Sequence, residues 1–65
     1  MLRSIVHVHY YDEHNTISTD KHMAVHIEKN KNYVEIVAEK VENDETNYYR
    51  HTYPWTTVIK IVEDI

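Results

Sequence analysis

The stretch Ser4-Ile5-Val6-His7-Val8-His9-Tyr10-Tyr11 decides the fold. Side chains alternate faces along an extended strand, so Val6, Val8 and Tyr10 share one side. Ile5, His7, His9 and Tyr11 share the other. A helix would scatter these residues around its circumference, whereas a strand sorts them into an apolar face and a histidine-bearing face. The pattern predicts a first strand from about Leu2 to Tyr11.

The same period recurs along the chain. His22 to Glu28 reads as a second strand with Met23, Val25 and Ile27 inward, and His22, Ala24, His26 and Glu28 outward. The polar segment from Asp12 to Asp20 precedes it as a loop. Lys29-Asn30-Lys31-Asn32 is a tight turn; in a chain with no glycine, asparagine is the residue best able to take a left-handed conformation there. Tyr33 to Val41 follows, with Val34, Ile36 and Ala38 inward and Tyr33, Glu35, Val37 and Glu39 opposite. Glu42 to Asn47 is an acidic loop, and Tyr48 to Tyr53 a fourth strand. Pro54 interrupts it, since proline cannot donate to a ladder. Thr56 to Glu63 is a last strand, with a short 3-10 turn or helix near Pro54 as the competing element.

The fold class expected is therefore all-β: a five-stranded antiparallel meander in a single small domain over residues 1–65. Val, Ile and Thr supply 21 residues, the types that fit a pleated, half-buried surface. The phrase Tyr53-Pro54-Trp55-Thr56-Thr57-Val58 ahead of a terminal strand resembles the ends of small SH3-like and Sm-like barrels. That resemblance covers about a tenth of the chain, and implies that the meander curls into such a barrel or a strongly bent sheet.

A core this small supplies only about 3–5 kcal/mol of net stability. Cysteine is absent, which excludes disulfides and thiolate zinc sites. A homodimer is one expected support. The formal charge of −4 opposes non-specific attraction to phosphate backbones. No signal peptide or apolar run long enough to cross a bilayer is legible, so a cytoplasmic protein is expected. Asn, Lys, Ile and Tyr make up 23 of the 65 residues, and Gly, Ala, Arg and Pro only 5. That codon bias fits an AT-rich genome, such as a bacterium of that kind or its phage, in which case the host cytoplasm is the compartment.

Three constellations carry chemistry. His7 and His9 project from one strand face at i and i+2, and His22, His26 and Glu28 are expected on that same face. His7, His9 and His26 are the candidate zinc ligands, in a site that imidazoles and a carboxylate could complete. The plainer reading is three polar side chains on a solvated face. Tyr48, Tyr49, Arg50, Tyr53 and Trp55 gather rings around a cation, flanked by Asp44 and Glu45. Such residues are enriched at protein–protein contacts, and the same rings suit stacking of single-stranded bases; the plainer reading is that some of them close a core lacking phenylalanine. Glu28, Glu35, Glu39, Glu42, Asp44 and Glu45 would give one hairpin an acidic surface suited to a basic partner or simply to solvent.

No glycine-rich phosphate loop can exist here, and neither serine sits in a nucleophile-elbow context. The expected function is a non-catalytic protein–protein interaction module, with a phage or mobile-element regulator that inhibits a host protein as its elaboration. Single-stranded nucleic-acid binding and histidine-ligated metal binding are the alternatives.

Overall fold

The computed structural model describes residues 4–64. Five antiparallel strands form one sheet: β1 (Ser4–Tyr11), β2 (Ile17–Lys29), β3 (Tyr33–Glu42), β4 (Glu45–Pro54) and β5 (Val58–Asp64). Their spatial order is β4-β3-β2-β1-β5, so the expected meander holds only from β1 to β4. The last strand, β5, crosses back to pair with β1; β4 and β5 are the edges, and among the described residues no ladder joins them to close a barrel. There is no helix among the described residues. The expected start of the first strand at Leu2 lies outside them.

The turns follow from side-chain chemistry. Between β1 and β2, Asp12 Oδ1 accepts the His14 and Thr16 backbone N–H groups at 2.9 and 3.0 Å. The Ser18 hydroxyl donates to Asp12 Oδ2 at 2.7 Å, and Asn15 takes a φ of 59°. The loop is thus shorter than expected: Ile17 to Lys21 belongs to β2. Between β3 and β4, Asn43 and Asp44 carry φ values of 50° and 64°, as a two-residue type I′ hairpin requires. The strands consequently pair down to Glu42 and Glu45, and most of the expected acidic loop is ladder. At Asn30 the side chain, rather than a left-handed backbone, makes the turn: its Oδ1 accepts the Asn32 and Tyr33 N–H groups at 2.9 Å each. After Pro54 the chain makes two overlapping turns, Thr57 N–H to Pro54 C=O and Val58 N–H to Trp55 C=O, which delay β5 to Val58.

The expected facing of β2 is wrong in its first half. A bulge between Ala24 and His26 inserts one extra residue, which reverses the side-chain phase. Ahead of it His22 and Ala24 are buried, at 4% and 2% exposure, while Met23 is exposed. Beyond it Ile27 turns inward, as expected, and packs on the core.

The bulge also divides the labour of β2. Ile17 to Ala24 pairs with β1, and Ala24 to Lys29 pairs with β3. One long strand is thereby shared by two half-sheets whose apolar faces meet. Val6, Val8, Ala24, Val34, Ile36, Ala38 and Tyr53 form the core between them, with Trp55 and Ile61 packed at its margin.

Candidate functional site

The folding-over brings together a polar aromatic cluster that the sequence did not reveal. The Tyr53 hydroxyl donates to Asp20 Oδ2 at 2.8 Å and lies 2.6 Å from His22 Nε2. Tyr10 donates to Asp20 Oδ1 at 3.2 Å, and its ring tilts against Tyr53 with centroids 5.4 Å apart. Because the single hydroxyl proton of Tyr53 goes to Asp20, its oxygen can only accept from His22. That assigns the imidazole proton to Nε2 and leaves Nδ1 to accept from the Tyr49 hydroxyl, at a long 3.5 Å. The His51 ring lies 4.7 Å from that of His22 and stacks towards Tyr53.

Electrostatics follow from this packing. Burial, then the neighbouring His51, lowers the pKa of His22 below the ordinary imidazole value, with Asp20 opposing. Burial and the hydrogen bond to Asp20 push the Tyr53 phenol well above its usual range. Burial, then the Asp20 carboxylate, raises Tyr10 as well. No buried side-chain nitrogen or oxygen lacks a hydrogen-bond partner among the described residues. The groups best suited to exchange protons are therefore engaged with one another.

The expected partner-binding residues divide between two faces. Tyr49 and Tyr53 look inward, and Tyr53 is only 6% exposed, which makes it a core residue; His51 between them is on the same face but exposed. Trp55 is half-buried and donates its indole N–H to the Asn30 carbonyl at 2.7 Å. Tyr48 and Arg50 share the outer face, cross-strand from Glu39 and Val37. Tyr48 is 59% exposed, and Arg50 Nε lies 3.2 Å from Glu35 Oε1. Asp44 occupies the hairpin turn and Glu45 begins β4. Of the expected acidic surface, Glu28 and Glu35 fall on the outer face by alternation; Glu39 shares that face but is buried, at 9% exposure, and Glu42 and Glu45 lie apart from them.

Beside the hairpin, Lys40, Glu42, Asn47, Tyr48, Tyr49 and His51 line an open groove of about 640 Å³. Lys40 Nζ lies 2.7 Å from Glu42 Oε1, and that contact raises the lysine pKa.

The three candidate zinc ligands share the outer face but not a neighbourhood. His7 pairs with Lys21, whereas His26 lies five residues further along β2, roughly 15 Å away. His9 Nδ1 is 2.9 Å from the Thr19 hydroxyl, and His7 Nδ1 is 4.0 Å from Asp64. His22, expected beside them, is on the opposite face. Among the described residues no group of three or more His, Cys, Asp or Glu side chains is placed to hold a metal ion. No helix among them is long and apolar enough to cross a membrane.

Compared with known proteins, the chain matches no family model, no curated protein and no solved structure.

Proposed function

We propose that this chain is a small non-catalytic protein–protein interaction module, built as an SH3-like or Sm-like barrel left open between β4 and β5, with β4 as its contact strand. The strand order, the bent β2 and the turn before β5 support the barrel reading. The observation that carries the functional reading is that β4 is a ten-residue edge strand beside an open groove. An edge strand presents a row of unpaired backbone donors and acceptors, to which an extended segment of another protein can add as a further strand. Arg50 on the outer face, and the groove that Tyr48 helps to line, supply side-chain selectivity to that backbone contact.

The test is affinity capture from a lysate of the source cell, with and without nuclease, using the wild type and a Tyr48→Ala/Arg50→Gln variant of matching circular dichroism. A captured protein that survives nuclease and is lost with the variant is the expected result. A protein retained equally by both would contradict β4 as the contact. Material lost on nuclease treatment would transfer the reading to single-stranded nucleic acid.

A further inference from the structure

The opposite edge of the sheet is self-complementary. Cross-strand partners share a face, so pairing of Ile5, His7 and His9 with Asp64, Val62 and Lys60 places those three β5 residues on the outer surface. Lys60 and Asp64 are exposed, and Val62 between them is 37% exposed. Directly behind Val62 on this face stands His7, whose Nδ1 lies 4.0 Å from Asp64 Oδ2; Ile5 and its cross-strand partner Met23, itself 40% exposed, lie diagonally behind, in the row that ends on Asp64. At the open edge a part-exposed valine thus stands between a cation and an anion.

We infer that β5 is a homodimer interface, at which a second copy of this chain pairs antiparallel about Val62. A twofold axis perpendicular to the sheet keeps each residue on its own face, so a pair centred on residue c joins i to 2c − i. Centred on Val62, Lys60 of each copy meets Asp64 of the other, and the two valines meet between them. Centred on residue 60 or 64, like charges would face each other; centred on 61 or 63, each charge on this face would oppose either valine or no described residue. One register therefore gains two opposite-charge pairs and the others do not. The irregularity between His9 and Tyr10, where the β5 register shifts past Ile59, confines the pairing to Lys60–Asp64. A lysine on an edge strand ordinarily discourages strand addition. Here Asp64, four residues away across a central valine, converts it into a selector for one partner and one register.

Charge reversal tests this directly. Sedimentation equilibrium through the micromolar range is run on the wild type, on Lys60→Asp, on Asp64→Lys, and on an equimolar mixture of the two variants. The wild type is expected to dimerise, and each variant alone to dissociate on the order of tenfold or more readily, because both charge pairs become repulsive. The mixture is expected to recover the wild-type affinity. In it the carboxylate introduced at position 60 of one chain faces the ammonium introduced at position 64 of the other, and the two unaltered charges face each other likewise. That recovery also proves that both variants fold. A wild type that stays monomeric throughout overturns the inference. So does a dimer indifferent to either reversal, or a mixture that stays as dissociated as its components.

Discussion

The hydroxyl of Tyr53 donates to the carboxylate of Asp20 at 2.8 Å, although the two lie far apart along the ladders. Tyr53 pairs with Val34, and Val34 with Lys29, nine residues along β2 from Asp20. In a flat sheet that separation is about 30 Å along the strand and two strands across. The contact exists because β2 bends at its bulge and folds β4 over the face of β1 and β2. Side chains thus join the two half-sheets where no backbone ladder does among the described residues.

Removing this hydroxyl should loosen the join. Tyr53→Phe leaves the ring packed but deprives Asp20 and His22 of their shared partner, so a loss of about 1–3 kcal/mol is expected in urea unfolding. Tyr33→Phe, an exposed control, should change stability by less than about 0.5 kcal/mol. Equal effects of the two changes would show that the Tyr53 hydroxyl does not hold the sheet together.

His22 makes stability depend on pH. Its folded pKa lies below the ordinary value of 6.5, so on acidification the unfolded chain takes this proton first. Stability from this residue is intact above about pH 6.5 and falls as pH drops, until the folded imidazole also protonates. His22→Gln should remove that component. The stability advantage of the wild type over the variant, measured from about pH 7.5 to about pH 5.5, is expected to shrink as the solution is acidified; a pH-independent difference would refute the assignment.

The β3–β4 turn offers a gain. Asp44 holds a positive φ in a chain without glycine, and Asp44→Gly would install the preferred Asn-Gly pair. A stabilisation of about 0.5–1 kcal/mol is expected in thermal or urea unfolding. Destabilisation would mean that the Asp44 side chain matters more than its backbone conformation.

Zinc should leave the unfolding temperature unchanged. His26 stands roughly 15 Å from the His7–His9 pair, beyond the reach of one ion. A rise on zinc addition, abolished by His9→Ala, would restore the metal reading, because a ligand of the folded state alone must stabilise it.

Much of this architecture could be read from side-chain alternation, and the exceptions have physical causes. Val6, Val8, Val34, Ile36 and Ala38 recur at every second position, with His7, Glu35 and Val37 between them on the other face, and their burial follows. Met23-Ala24-Val25-His26-Ile27 does not alternate cleanly, so a bulge within it is invisible to a period-2 reading, and the phase taken from Ile27 misplaces His22. The continuing Ser18-x-Asp20-x-His22-x-Ala24 pattern was the available signal, but a polar stripe declares itself buried only once its partners are known. Those partners come from other strands, Tyr10 from the adjacent β1 and Tyr53 from β4 through the bend. At the aromatic constellation the sequence grouped Tyr48 through Trp55 by proximity, and the pleat then divided them between a core face and an outer face.

The most direct test of β4 as the contact strand is a backbone-amide NMR spectrum of the labelled protein, free and bound to its captured partner. The largest shift changes and new exchange protection are expected on residues 46–52, with β1 and β5 little affected. Changes concentrated on β5, or spread evenly with the β4 amides unprotected, would contradict it.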